Sequence, residues 1–242
     1  MYFNLLCFKE NNIMMKVNST GICSPFFSVV IATYNRAELL KRAIESLIKQ
    51  TEKDWEAIVV DDGSEDDTEV QILPYLSMNK NVKYFKKEHS GVSLTKNKGV
   101  HLSKGQFITF LDSDDTYAPN HLESRKQLLL KDETIEFLYG GLNVLGSQYV
   151  PNRFNYLEKV HLNSCVAGGT FFVKRETILS LNGYKEMPIA EDADLLDRAK
   201  RQNVKIQQTA IPTYNYHRDN PDALTHNFYN KMKTLNNKLK MA

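Results

Sequence analysis

Residues 107–115 read Phe-Ile-Thr-Phe-Leu-Asp-Ser-Asp-Asp. The first five are β-prone and mostly apolar, the make-up of a strand buried in a parallel sheet. The run then stops in Asp112, Asp114 and Asp115, with Ser113 between the first two. Carboxylates crowded this closely repel one another, so the stretch suits a place where a divalent cation neutralises them. Ligands made only of oxygen select a hard ion, Mg²⁺ or Mn²⁺. In open α/β sheets, ligands gather where strands end at their carboxyl edge. The plainer reading, acids that cap a following helix or form an acidic turn, does not explain why other polar clusters fall in step with this one.

Upstream, strand and helix patterns alternate. Residues 26–32 (Phe-Phe-Ser-Val-Val-Ile-Ala) form a first apolar, β-branched run. Thr33, Tyr34, Asn35 and Arg36 make the polar turn after it, and Asn35 is a candidate cap for the next helix, whose apolar face is Leu40, Ala43, Ile44, Leu47 and Ile48. A second strand over 55–60 ends in Asp61, Asp62, Gly63 and Ser64. A helix starts at Asp66 or Asp67, a third strand covers 82–85, and a helix runs from Val92 to about Ser103 with Gly105 as its stop. The strand at 107 is the fourth. This alternation predicts a doubly wound α/β domain, Rossmann-like, with a mainly parallel central sheet and helices on both faces. Its carboxyl ends share one edge, so Thr33 to Arg36, Asp61 to Ser64 and Asp112 to Asp115 converge on one cleft.

The second half is less regular. It reads as a helix over 120–130 after Pro119, strands over 135–145, 147–150 and 170–174, a helix over 176–181, a helix over 191–201, an extended stretch over 204–216 and a polar helix over 222–239. Length suits one large domain or one core domain plus an extension: residues 1–24 read as a disordered leader, 25–220 as the domain, and 221–242 as a basic C-terminal helix. The leader has an apolar patch without the basic flank or cleavage site of a signal peptide.

A net charge of +2 is too small to argue for nucleic acid. The tail is different: Lys231, Lys233, Lys238 and Lys240 stand there with no acid from Asn230 onward. It suits contact with an acidic membrane surface or, alternatively, a solvated helix face. Cys7, Cys23 and Cys165 lack metal-type spacing and fit reduced thiols of a cytoplasmic protein, associated at most with the inner face of a membrane.

Three motifs, Val-Val-Ile-Ala-Thr-Tyr-Asn-Arg over 29–36, Val-Val-Asp-Asp-Gly-Ser over 59–64 and Phe-Leu-Asp-Ser-Asp-Asp over 110–115, together resemble family 2 glycosyltransferases of the GT-A fold. Glu191-Asp192 is similar to that family's acidic pair on the acceptor side. The resemblance covers roughly residues 25–220. It implies an inverting glycosyltransferase that moves a sugar from a nucleotide-diphosphate sugar, UDP-type favoured, to a glycan or lipid-linked acceptor in surface polysaccharide synthesis, with Mg²⁺ or Mn²⁺ as cofactor.

Carried over by position, the resemblance places Thr33, Asn35 and Arg36 along the nucleotide pocket. Asp61 would accept the ring N–H of the base, with Asp62 sharing that role or holding the turn. Asp112 would face the ribose or the metal, and Asp114 would ligate the metal. Where the family shows Ala-Arg-Asn-x-Gly, this chain has Thr95-Lys96-Asn97-Lys98-Gly99. Lys96 keeps the charge but loses the planar fork, so it reads either as a diphosphate contact or as a solvated helix lysine. Asp192 is the candidate general base, with Glu191 beside it, unless the two acids only complement their helix's positive end. His217 and Arg218 are candidates for the metal shell and the diphosphate. Gly168-Gly169-Thr170 fits either a close approach of backbone to substrate or a simple tight turn. Tyr117, Tyr139 and Tyr184 are candidates for stacking on sugars or for core.

Two other readings compete. A metal-dependent nucleotidyltransferase would be expected to carry a glycine-rich loop after the first strand, and Thr33-Tyr34-Asn35-Arg36 has no glycine. A sugar-nucleotide-binding protein without catalysis has no physical need for the base at Asp192.

Overall fold

The computed structural model describes residues 6–9, 13–16, 24–152, 154–155, 158–187, 189–218 and 234. Within the stretch read as a leader, β1 (Leu6–Lys9) and β2 (Ile13–Lys16) pair antiparallel, a local element the leader reading did not include.

The domain is built on β3 (Phe27–Thr33), whose side chains alternate between two cores. Phe27, Val29 and Ile31 pack with Leu40, Ala43, Ile44 and Leu47 of α1 (Ala37–Ile48). Val30 turns to the other face. The strands that follow are β4 (Trp55–Asp61), β5 (Val82–Lys86) and β6 (Phe107–Phe110), separated by α2 (Thr68–Met78) and α3 (Val92–Leu102). β4, β5 and β6 join β3 in parallel register. After β7 (Thr116–Tyr117) and α4 (His121–Lys131) come β8 (Phe137–Tyr139), β9 (Leu142–Leu145), β10 (Tyr149–Pro151) and β11 (Lys159–His161). The described domain closes with β12 (Phe172–Lys174), α5 (Arg175–Ser180), α6 (Glu191–Arg201), β13 (Ile206–Gln208) and β14 (Tyr214–His217).

The central sheet has seven strands in the order β13-β8-β12-β6-β3-β4-β5. Only β12 runs against its neighbours. α1, α2 and α4 supply Leu40, Ile72 and Leu122 to the core on one face; α3, α5 and α6 supply Val100, Ile178 and Leu195 to the core on the other. A mainly parallel α/β sheet covered on both faces is the expected architecture. A second sheet, β7-β14-β9, returns β14 to the carboxyl end of β6. No helix among the described residues is long and apolar enough to cross a membrane.

Three local expectations are corrected. Asn35 does not cap α1: its backbone sits at φ 50° and its side-chain oxygen accepts the Glu65 N–H at 2.8 Å. The Ala37 N–H instead donates to Asp66 Oδ2 from the next turn, at 3.2 Å. Gly105 is no helix stop, because α3 has already turned extended at Ser103; its N–H donates to Ser28 Oγ at 2.7 Å where the chain crosses β3. The single strand expected over 135–145 is broken into β8 and β9 by Gly140 and Gly141. Both glycines hold positive φ, and a Cβ on Gly141 would stand 2.0 Å from the Ile211 carbonyl oxygen. Of the helix expected over 222–239, Thr234 is described, as helical and exposed; the rest of it, with its basic tail, lies outside the described residues.

Candidate active site

Because β3, β4 and β6 are parallel, their polar ends reach one edge, and a cavity of about 650 Å³ opens there. The structure brings Arg36, Lys96, Asp112, Asp114, Glu191, Asp192, His217 and Arg218 into its lining. Thr33, Asn35, Asp61 and Asp62 are not in that lining.

Those four stand at the ends of β3 and β4 and in the turns after them instead. Asp61 is fully buried; one carboxylate oxygen accepts the Ser64 N–H at 2.8 Å and the other accepts the Tyr84 hydroxyl. A base N–H would have to open that turn to reach it, so the expected base contact at Asp61 is not supported by this geometry. Asp62 holds the segment after β5: it accepts the N–H groups of Ser90 and Gly91 at 2.9 and 2.8 Å and pairs with Lys87. Burial pushes its carboxyl up, but Lys87, the Ser90 and Gly91 N–H groups and Thr95 outweigh this and hold it below the ordinary range. The alternative that Asp62 holds the turn is the one its contacts match. Asn35 donates its N–H to Ser64 Oγ at 2.8 Å, tying the turn after β3 to the turn after β4. Thr33 is buried, with Oγ1 lacking a hydrogen-bond partner among the described residues.

At the end of β6 the three acids take different environments. Asp112 faces the cavity, and Asp114 pairs with the Arg36 guanidinium at 3.1 Å. Asp115 is fully buried; it accepts the Tyr214 hydroxyl at 2.7 Å and the His217 backbone N–H at 2.8 Å. Burial, then the charges of Asp114 and Asp112, push its carboxyl well above the ordinary range. Thus Asp115 braces β14, while Asp112 and Asp114 stand beside it in the cavity lining.

Lys96 is not a solvated helix lysine. It is buried, with its ammonium 3.4 Å from Asp112 Oδ1, 3.7 Å from Glu191 Oε1 and 3.8 Å from Asp192 Oδ1. Burial alone would lower its pKa; Asp112, Asp192, the Tyr184 hydroxyl and Glu191 outweigh that and hold it well above the ordinary value. It therefore stays charged and links the acids of β6 to those of α6.

Glu191 and Asp192 open α6, behind Ala190 in left-handed backbone (φ 66°). Asp192 Oδ2 accepts the Gly168 N–H at 2.9 Å, while Oδ1 is buried without a hydrogen-bond partner among the described residues. Burial pushes this carboxyl up, Lys96 pulls it down, and Glu191 and Asp112 push it up again, to about 7. A carboxylate with one unsatisfied oxygen and a pKa near neutrality suits a proton acceptor. The two acids do more than complement a helix end.

The glycine turn expected at 168–170 is a 3₁₀ turn fitted against both sides of the site. A Cβ on Gly168 would stand 2.1 Å from Asp192 Oδ1, and one on Gly169 would stand 2.1 Å from the Tyr214 hydroxyl oxygen. Tyr214 is the residue that sequence reasoning missed. It donates to Asp115 and accepts the Asp112 N–H at 3.3 Å, bridging the acidic strand end and the glycine turn. Its only sequence signal was the alternation of Tyr214 and Tyr216 ahead of His217. Tyr117 and Tyr184 belong to the core.

His217 Nε2 lies 3.1 Å from Thr116 Oγ1, and Arg218 donates to the Tyr216 hydroxyl at 3.1 Å. Among the described residues no three His, Cys, Asp or Glu side chains form a ready metal cage, so Asp112, Asp114 and His217 do not converge as a preformed triad. Asp114 is turned to Arg36 and His217 to Thr116. What remains still fits a hard ion. Mg²⁺-type sites use one or two carboxylates and take further ligands from phosphate and water, and Asp112 and Asp114 both stand in the cavity lining.

Residues 28–160, more than half of the chain, match the family described as Glycosyl transferase family 2. The chain belongs to glycosyl transferase family 2. Over 158 residues it is 30% identical to the Escherichia coli UDP-Glc:alpha-D-GlcNAc-diphosphoundecaprenol beta-1,3-glucosyltransferase WfgD, covering 63% of this chain and 61% of that protein. An uncharacterized glycosyltransferase of Rickettsia conorii is 37% identical over 132 residues, 54% of this chain and 21% of the relative. The chain thus spans about three-fifths of the first relative and about one-fifth of the second. Among solved structures, S. aureus TarS 1-349 in complex with UDP-GlcNAc superposes with a TM-score of 0.69 at 22% identity, covering 82% of this chain and 60% of that one. The Pyrobaculum calidifontis mannosyltransferase PcManGT, in complex with GDP-Man and Mn²⁺, gives 0.66 at 17%, covering 85% and 60%. Both likenesses confirm the GT-A fold of this family 2 member.

Proposed function

We propose that the chain is an inverting, metal-dependent glycosyltransferase that moves a sugar from a UDP-sugar to a lipid-linked glycan acceptor in surface polysaccharide synthesis, on the cytoplasmic side of a membrane. The observation that carries this reading is Asp192: a carboxylate at a helix start, held by the Gly168 N–H, raised to about 7, and sharing one cavity with Asp112 and Asp114. The similarity to WfgD, named for UDP-Glc and a diphosphoundecaprenol-linked acceptor, supports the donor and acceptor classes.

In this reading Asp192 Oδ1 takes the proton of the acceptor hydroxyl as its oxygen bonds to the anomeric carbon of the donor sugar. The bond from that carbon to the diphosphate oxygen breaks on the opposite side, and the diphosphate leaves with the electron pair. Attack from the opposite side inverts the anomeric centre. Glu191 and Asp112 keep the base proton-hungry, while Lys96 keeps it from being fully neutralised at rest. Arg36 and Arg218, both on the cavity wall, supply positive charge for the diphosphate. Asp112 and Asp114 would hold Mg²⁺ or Mn²⁺, with His217 at the rim; when bound, the ion acts as a Lewis acid on the departing diphosphate.

The test is product detection with a panel of nucleotide sugars, with and without Mn²⁺, using short-chain prenyl diphosphate sugars and free oligosaccharides as acceptors. Metal-dependent transfer from a UDP-sugar is expected. Binding of donors with no transfer to any acceptor would move the chain to the non-catalytic class.

A further inference from the structure

The donor and metal contacts proposed above use Arg36, Asp112, Asp114, His217 and Arg218 and leave the far end of α6, with Asp197 and Lys200, and the apolar lining without a task. On α6, Asp192, Leu196 and Lys200 all face the cavity. They are spaced four residues apart, so they fall on one side of the helix, and a rise of about 1.5 Å per residue puts Lys200 about 12 Å along the axis from Asp192. A lysine side chain leans back toward the helix start, which brings its ammonium nearer the base. Lys200 is exposed.

The β10–β11 hairpin forms another part of the same lining. Val150 and Val160 stand opposite each other across its two strands, and Leu162 follows it; Val150 and Leu162 are buried. At its turn, Phe154 is 82% exposed. Sugars and diphosphates present hydroxyls and charge, so nothing in the donor's reacting half needs this hydrocarbon surface. An apolar wall at the mouth of a site, with an exposed aromatic on it, marks a ligand with an apolar part.

We propose that the Asp192–Leu196–Lys200 face of α6 and the apolar wall of the β10–β11 hairpin form one acceptor subsite for a sugar diphosphate with an isoprenoid tail. The sugar hydroxyl meets Asp192, the acceptor's diphosphate meets the Lys200 ammonium, and the first isoprene units lie on Phe154, Val160 and Leu162. The interval along α6 matches the division of such a molecule into a neutral sugar, then charge. The assignment rests on the glycosyl-transfer reading above and adds to it where the acceptor is recognised.

The test uses geranyl diphosphate and inorganic diphosphate as probes, titrated calorimetrically into the whole chain with UDP and Mn²⁺ saturating, so that the donor's own diphosphate place is filled. Geranyl diphosphate should bind at least about tenfold tighter than inorganic diphosphate. Lys200→Gln should weaken both probes by about tenfold, and Phe154→Ser should remove most of the geranyl advantage, each with an unchanged melting temperature. Equal binding of the two probes, or variants within about twofold of the parent, would overturn the subsite. Residue-dependent geranyl diphosphate binding in a chain that transfers no sugar would keep the subsite and refute the transferase reading. Sugar transfer that is indifferent to both substitutions would do the reverse.

Discussion

The backbone N–H of Gly168 donates to Asp192 Oδ2 at 2.9 Å, and a methyl group on the same Cα would stand 2.1 Å from Asp192 Oδ1. The glycine therefore sets where the carboxylate lies. Gly168→Ala keeps the backbone donor but drives the carboxylate away from its place. Misplacing a catalytic group by about 1 Å costs roughly 10²-fold, so kcat should fall by about that factor while donor affinity holds. Steady-state kinetics and UDP titration on the variant check this; a weakened UDP affinity with normal kcat would place Gly168 in the donor pocket instead.

Asp61 is expected to act on stability first. Its two oxygens accept the Ser64 N–H and the Tyr84 hydroxyl. Asp61→Ala leaves the Ser64 N–H and the Tyr84 hydroxyl without that partner, and the buried N–H alone costs about 1–3 kcal/mol. For a chain of this size that is roughly 2–4 °C of melting temperature per kcal/mol. Thermal melting measures it; an unchanged melting temperature with lost UDP affinity would return Asp61 to the base pocket.

The pH behaviour follows from Asp192. Its carboxyl is raised from 3.8 to about 7, so between those values the folded chain holds a proton that the unfolded chain has released. Stability contributed by that proton is full below pH 3.8 and is lost as pH rises through about 7. Asp192→Asn should remove this loss and be relatively more stable at pH 8 than at pH 4, as denaturant titrations at the two values would show. On the proposed role activity runs the other way, because a base works deprotonated: kcat/KM should climb about tenfold per pH unit toward 7 and then level. A profile flat across that range would exclude Asp192 as the titrating base.

For the metal, Asp114→Asn keeps size and removes one charged oxygen beside Arg36. Loss even of an outer-shell partner costs about 10–100-fold in metal affinity, and loss of a ligand should cost at least that. UDP titrations with and without Mn²⁺ report it as a shrunken metal-dependent gain. An undiminished gain would assign the ion to other oxygens.

Much of this fold was legible because its signals are local. α6 runs over the expected residues: Glu191, Asp192 and Asp194 fill its first turn, Arg198, Lys200 and Arg201 its last, and Leu195, Leu196 and Ala199 its buried face. The convergence of Arg36, Asp112 and Asp114 followed from parallel strands alone. What was not legible depends on contacts far apart in the chain. Asp61 and Asp62 look equivalent in sequence, yet one is sealed by Tyr84 and the other by the segment from Lys87 to Gly91. Lys96 reads as an ordinary helix lysine until α6 packs two acids against it. The break at Gly140-Gly141 did carry a local signal, a glycine pair inside a strand pattern, which the apolar run around it masked.

The most direct measurement is turnover of Asp192→Asn, with donor affinity taken on the same preparation and with the UDP-sugar that the parent chain consumes. The amide keeps the shape of the carboxylate and cannot take the acceptor proton. Turnover is predicted to fall by about 10²–10⁴-fold with donor affinity within about twofold of the parent, the pattern of a group used only in the transition state. Turnover within about twofold of the parent would contradict the assignment of Asp192 as the base.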